Sequence, residues 1–255
     1  MSTEILVRDD GPVRVLTMSG PSRINSIGAS TAEQLCDEVV AAERDDRVHA
    51  MVLTGEGEHF SSGGDAEGVL EAGLSRDDDA MIRFMRSYQR AALTIWNSPL
   101  PVVASVAGIA YGGAFNLALS CDLIVCSENA RFCQVFLRRG VVPDFGGAYL
   151  LPRLVGMQKA KELMLLADEI DAGTAERLGL VNFVVPSAEE SLSTATGLAH
   201  RLAAQSRMAM SMTKRLLNAS TGGTLQSSLE LEALSQASVL GSQSAQKSFE
   251  GFRER

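Results

Sequence analysis

Residues 99–122 read PLPVVASVAGIAYGGAFNLALSCD, and no charged residue occurs from Ala91 to Cys121. A stretch this apolar has the composition of a membrane helix. Pro99 and Pro101 break it early, however, and Gly108, Gly112, Gly113 and Asn116 divide what remains. It therefore reads as a buried strand over 101–106, a glycine turn, and a buried helix over 112–120. The glycine turn follows a strand and opens a helix, which places backbone N–H groups at the positive end of a helix dipole.

Working outward, the same grammar recurs on both sides. Strand-like runs at 5–8 and 13–18 precede a helix expected to be capped by Ser30, with Leu35, Val39 and Val40 at helical spacing. A strand at 51–54 enters a second glycine loop, GEGEHFSSGGD at 55–65, and a long helix is expected over 79–97. Further strands are expected at 123–126 and 131–134. Alternation of this kind defines an α/β class. From about Glu189 the pattern turns to helices alone, giving a mixed core over residues 1–195 and a helical region over 196–255. Within that region, the methionines of MAMSMTKRLLN from Met208 read as part of a core helix.

Composition narrows the function. The 255 residues are 45% hydrophobic and 5% aromatic, and 23 Lys+Arg against 31 Asp+Glu leave a net charge of -8. A basic, aromatic nucleic-acid face is excluded by that balance. The start, MSTEILVRDD, lacks the basic and apolar runs of a signal peptide. Cys36, Cys121, Cys126 and Cys133 form no Cys-x-x-Cys pair, and with three histidines they suit no common zinc site. Buried, reduced thiols in a cytoplasmic protein without a membrane span are the expectation. The run Asp77-Asp78-Asp79 reads as a solvated helix start.

The loop at 55–65 is no dinucleotide fingerprint, because Phe60 stands where a third glycine is required. Gly63 and Gly64 still permit close backbone approach to a ligand. His59 reads as structural. Ser61 and Ser62 read as loop hydrogen-bonders, since His59 is too close along the chain to act as their base. Two glycine loops after parallel strands together suggest the halves of an oxyanion hole.

These segments resemble the crotonase superfamily, which includes enoyl-CoA hydratases and isomerases. The likeness is carried by PSRINSI at 21–27, by the stretches at 55–65 and 99–122, by ARFCQ at 130–134, by RRGVVPDFGGAYLLPRLVG at 138–156 and by TKRLLN at 213–218. The resemblance implies a ββα spiral core over 1–195, a helical trimerisation region over 196–255, and an acyl-CoA thioester ligand. It implies no separate cofactor, since coenzyme A is part of the substrate, and a homotrimer or hexamer as the assembly. Gly64 and Gly113 match the oxyanion positions. Arg23 matches the loop that grips the nucleotide end of coenzyme A, and Ser26, Ser62, Gly63, Asp65, Gly112, Asn116 and Phe136 are the further positions expected to bind the substrate or coenzyme A.

The resemblance also marks departures. Hydratases of the family carry glutamates three residues after the oxyanion glycine and twenty further on, where this chain has Asn116 and Phe136. An amide is no general base, and a phenyl ring replaces a wet carboxylate with an apolar wall. Asp144, eight residues beyond Phe136, occupies a position where isomerases and aryl-CoA dehalogenases of the family carry a working aspartate. Two readings stand for it, a helix N-cap or a catalytic base made more basic by burial beside Phe136. The expectation is double-bond isomerisation with Asp144 as acid and base. Hydration, dehalogenase-like hydrolysis and binding of acyl-CoA without catalysis are the alternatives. The family's hydrolytic histidine falls near Gln89, where this chain has none.

Overall fold

The computed structural model describes residues 2–21, 24–74, 77–246 and 249. In chain order, the first half contains β1 (Glu4–Asp10), β2 (Val13–Ser19), α1 (Ala29–Arg44), β3 (Ala50–Gly55), α2 (Ala66–Leu74), α3 (Asp78–Asn97), β4 (Val102–Val106), β5 (Ile109–Tyr111) and α4 (Gly113–Leu119). Then follow β6 (Leu123–Ser127), β7 (Arg131–Cys133), a 3-10 turn at Val135–Arg139, α5 (Gly147–Val155), α6 (Met157–Leu166), β8 (Ile170–Asp171), α7 (Ala172–Arg177) and β9 (Phe183–Val185). Three helices close the chain: α8 (Ala188–Ala203), α9 (Arg207–Ser220) and α10 (Leu225–Leu240).

Six strands form one sheet in the order β1-β2-β3-β4-β6-β9, parallel except for the β1–β2 hairpin. A smaller sheet has the order β5-β7-β8. The central strands are buried on both faces, which is why they read as continuous apolar runs. Alternate residues separate the two faces. Val13, Val15, Ala50, Val52, Val103 and Val125 pack against Ala195, Ala199 and Ala203 of α8. Leu16, Met18, Met51, Leu53, Ala104 and Ile124 point into the main core with α1, α3 and α4. The expected division at 195/196 thus falls inside α8, whose alanine stripe lies on the sheet.

The apolar stretch at 99–122 resolves into β4, β5 and α4, with every residue of α4 buried. No helix among the described residues is long and apolar enough to cross a membrane. Two local expectations change. Gly28, not Ser30, is the N-cap of α1, and Ala32 N–H donates to its carbonyl, so the helix begins a residue before Ser30. Helix α9 is no core helix. Its one buried residue is Lys214, and Met208 is exposed, because α9 forms an outer layer attached through that lysine. Lys214 Nζ donates to the Ile95 and Leu100 carbonyls at 3.0 and 3.2 Å and pairs with Asp122 at 2.8 Å.

Candidate active site

Three backbone segments zip together to build the site. Ile27 N–H donates to Gly63 O and Asp65 N–H donates to Ile27 O, which fixes Gly64 between them. On the other side, Ser61 N–H donates to Ile109 O and Tyr111 N–H donates to Ser61 O. The loop at 55–65 is therefore held edge-on to β5, the strand that leads into Gly112 and Gly113. Gly63, at φ +92°, is confined to glycine by sterics as well as by its dihedral: a β-carbon there would stand 2.4 Å from Tyr111 O and 3.3 Å from Gly113 N.

This packing leaves two donors without a partner. Among the described residues, neither Gly64 N–H nor Gly113 N–H makes a hydrogen bond, whereas the neighbouring Gly63, Asp65 and Gly112 N–H groups are all engaged. Gly113 is the first residue of α4, so no carbonyl of its own helix serves it.

Asp144 stands beside Gly113. A β-carbon on Gly113 would lie 2.9 Å from Asp144 Oδ1 and 2.7 Å from the ring of Phe145. Oδ1 is fully buried and makes no hydrogen bond. Loss of water at this carboxyl pushes its pKa up to about 7, against the smaller, lowering influence of a backbone N–H. The helix-cap reading of Asp144 fails, because the N-cap of α5 is Gly146 and no side chain caps that helix. The ring packed at this spot is Phe145, at φ +46°, which stacks on Tyr88 with centroids 4.7 Å apart. Phe136 is also buried, with its ring against Gly112, so two rings flank the glycine turn.

Tyr88 closes the floor. Its ring edge lies 3.4–3.5 Å from where a β-carbon on Gly64 would stand, and its hydroxyl donates to Ile27 O at 2.6 Å. Burial, with the Asp144 charge nearby, raises its pKa well above the ordinary phenol value, so it stays a neutral donor. Tyr88 follows Phe84 and precedes Ala91 and Ile95 at helical spacing along α3. That pattern announces a core face, though nothing in it tells which residue meets a glycine loop.

The remaining expected site residues have mixed placements. Asn116 is completely buried, donates to the Asp144 carbonyl at 2.9 Å and accepts from Gln134 at 2.8 Å. Asp65 caps the start of α2, accepting from Glu67 N–H, and Ser62 N–H donates to Ile24 O. Ser61 Oγ donates to Asn25 O and accepts from Gly63 N–H, the loop role expected for it. Ser26 is half-buried beside Ile27. Arg23 lies outside the described residues. His59 packs on the Gly108 backbone and accepts from Ile109 N–H, a structural placement. Asn25 was not anticipated: its amide donates to the carbonyls of Glu56, His59 and Phe60 and ties the loop at 21–27 to the loop at 55–65.

Comparison with known proteins agrees with the architecture. A family model described as enoyl-CoA hydratase/isomerase matches residues 8–255. A probable enoyl-CoA hydratase of Rhizobium meliloti (strain 1021) is 35% identical, over 89% of this chain and 86% of its own length. A 1,2-epoxyphenylacetyl-CoA isomerase of Escherichia coli (strain K12) is 32% identical, over 89% of this chain and 87% of its own. The crystal structure of an enoyl-CoA hydratase from Polaromonas sp. JS666 superimposes with a TM-score of 0.94 at 30% identity, covering 98% of this chain and 97% of that one. With the fold, the paired glycine loops and a match of this extent in hand, the chain belongs to the enoyl-CoA hydratase/isomerase family of the crotonase superfamily, whose members act on acyl-CoA thioesters.

Proposed function

We propose that this enzyme moves a double bond within an enoyl-CoA thioester. The single observation that carries the reading is the buried, unpartnered Oδ1 of Asp144 beside Gly113, whose N–H, like that of Gly64, has no partner among the described residues. In the first step, the Asp144 carboxylate takes the proton on the carbon next to the thioester of a 3-enoyl-CoA. The electron pair left behind delocalises onto the thioester oxygen as a dienolate, which accepts hydrogen bonds from Gly64 and Gly113. Each such donor is worth about 3–4 kcal/mol in the transition state. Asp144 then returns its proton to the far carbon of the dienolate, and the double bond ends in conjugation with the thioester. One group serves as base and then as acid, so a carboxyl titrating near neutrality is suited to both steps.

Hydration is the second reading, favoured by the names of most relatives. Against it stand the amide of Asn116 and the ring of Phe136, neither of which deprotonates water. A paired assay separates the two. Conversion of 3-enoyl-CoA to 2-enoyl-CoA without incorporation of water is the expected result, and hydration of 2-enoyl-CoA as the main activity would overturn it. The assembly we propose is a homotrimer or hexamer, formed through the exposed leucines of α10 (Leu225, Leu229 and Leu234), in the cytoplasm where its four thiols stay reduced.

A further inference from the structure

Asn116 is fully buried, and both ends of its amide are occupied. Nδ2 donates to the backbone carbonyl of Asp144 at 2.9 Å, and Oδ1 accepts from Gln134 Nε2 at 2.8 Å. A third contact fixes its plane. A β-carbon on Gly147 would fall 2.2–2.5 Å from the amide carbon, nitrogen and oxygen, so the amide lies directly on the backbone that starts α5. The segment it holds is strained: Phe145 sits at φ +46° and Gly146 at φ +78°, two successive left-handed residues right after Asp144. A bulky non-glycine residue persists there only when its surroundings over-determine it. Phe145 is held from one side by its stack on Tyr88, and the carbonyl before it is held from the other side by Asn116.

We infer that Asn116, oriented by Gln134, is a positioning residue that holds the strained turn at 144–146 and so aims the Asp144 carboxyl at the Gly64–Gly113 pocket. This rests on the proposed role of Asp144. The amide is required for its asymmetry: it accepts from Gln134 on one side and donates to a carbonyl on the other, which an ionised carboxylate cannot do. Gln134, itself 1% exposed, works one step further back. Neither residue needs to touch substrate for this role. Releasing the turn lets the carboxyl rotate away from the glycine pair and lets water reach Oδ1.

The test uses the full-length protein with Asn116→Ala, Gln134→Leu and, as reference, Asp144→Asn. Two readouts are taken: kcat and KM for 3-enoyl-CoA across the pH range, and titration of the Asp144 carboxyl by 13C NMR, assigned by its loss in Asp144→Asn. Asn116→Ala is expected to lower kcat about 100-fold, the scale of a 1 Å misplacement. KM should stay within about threefold, because no binding contact is lost. The Asp144 titration should fall by about one unit or more towards the ordinary carboxylate range. Gln134→Leu should produce a smaller change of the same kind, and it decides the matter if Asn116→Ala does not fold. Folded variants with wild-type kcat and an unmoved Asp144 titration, or a loss confined to KM, would overturn the inference. Full activity in Asp144→Asn, or a wild-type protein inactive on 3-enoyl-CoA, would instead overturn the proposed function, and the NMR titration would still report whether Asn116 positions the carboxyl.

Discussion

Asp144 Oδ1 stands 2.9 Å from the point a β-carbon on Gly113 would occupy, so the candidate base and the glycine proposed as an oxyanion donor share one small space. A methyl group at Gly113 would push both Asp144 and the Phe145 ring. Gly113→Ala is expected to lose most activity and about 1–3 kcal/mol of stability, as overpacking does. A matching methyl at Gly64 meets Tyr88 no closer than 3.4 Å, an ordinary contact, and leaves the N–H in place. Gly64→Ala should therefore keep kcat within about threefold. Steady-state kinetics and urea melts on the two variants check this contrast, and equal damage at both positions would count against the geometry.

Asp144→Asn should lower isomerisation by about 100-fold to 10,000-fold, the usual worth of a positioned acid–base group, with affinity for the CoA ester retained. In the wild type, the base must be ionised. Activity should therefore rise with pH through about 7, where burial has placed the Asp144 pKa. A kcat/KM profile flat from acid to neutral pH would remove Asp144 from the mechanism.

The same carboxyl has a signature in stability. Its folded-state pKa of about 7 lies above the ordinary 3.8, so the fold favours its neutral form. That contribution is fully present below about pH 4 and is lost as pH rises to about 7, where the buried site must hold a charge. Asp144→Asn removes the charge, and should stabilise the protein at pH 8 by on the order of 2–4 kcal/mol while changing little at pH 4. Thermal melts at the two pH values read this directly, and a variant less stable than wild type at pH 8 would contradict it.

Lys214 joins α9 to the body of the protein through Asp122 and two carbonyls. Replacing it with methionine leaves a partly exposed carboxylate whose other partner is Val102 N–H, and two backbone carbonyls without their donor. Lys214→Met should cost about 1.5–3 kcal/mol, the scale of a lost hydrogen bond to a charged group. Denaturant unfolding measures the loss, and a change of less than about 1 kcal/mol, the scale of an exposed pair, would show that the contact does not anchor the helix.

Leu234 is 69% exposed on α10, beside other uncovered leucines. A charge there leaves an isolated chain unharmed but opposes burial against a second copy. Leu234→Glu is expected to shift the protein from an oligomer to a monomer in analytical ultracentrifugation. An unchanged sedimentation coefficient would place the interface elsewhere.

Much of this molecule was legible in one dimension. Strands buried on both faces write themselves as unbroken runs, such as VVASV at 102–106. The turn into α4 is marked by glycines because a backbone approaches there. The candidate site followed from the resemblance to the crotonase superfamily, which singles out the two glycine loops, the missing glutamates at 116 and 136, and the aspartate at 144. These features are local, set by steric and solvation preferences that each residue carries with it.

The tertiary structure decided what depends on contacts between distant segments. Asn116 meets the Asp144 carbonyl across 28 residues, and Tyr88 meets Gly64 from another helix. Neither pairing has a sequence period to reveal it. A second ring, Phe145, packs on Gly113 next to Phe136 on Gly112, and its backbone sits at φ +46°, which no residue pattern announces. Lys214, charged and so expected at the surface, is buried because three acceptors from other elements converge on it. Sequence determined which chemical groups this protein has, while side-chain direction and desolvation, which arise only when separate segments pack, decided that one carboxyl oxygen would be left dry and unpartnered beside the backbone of Gly113.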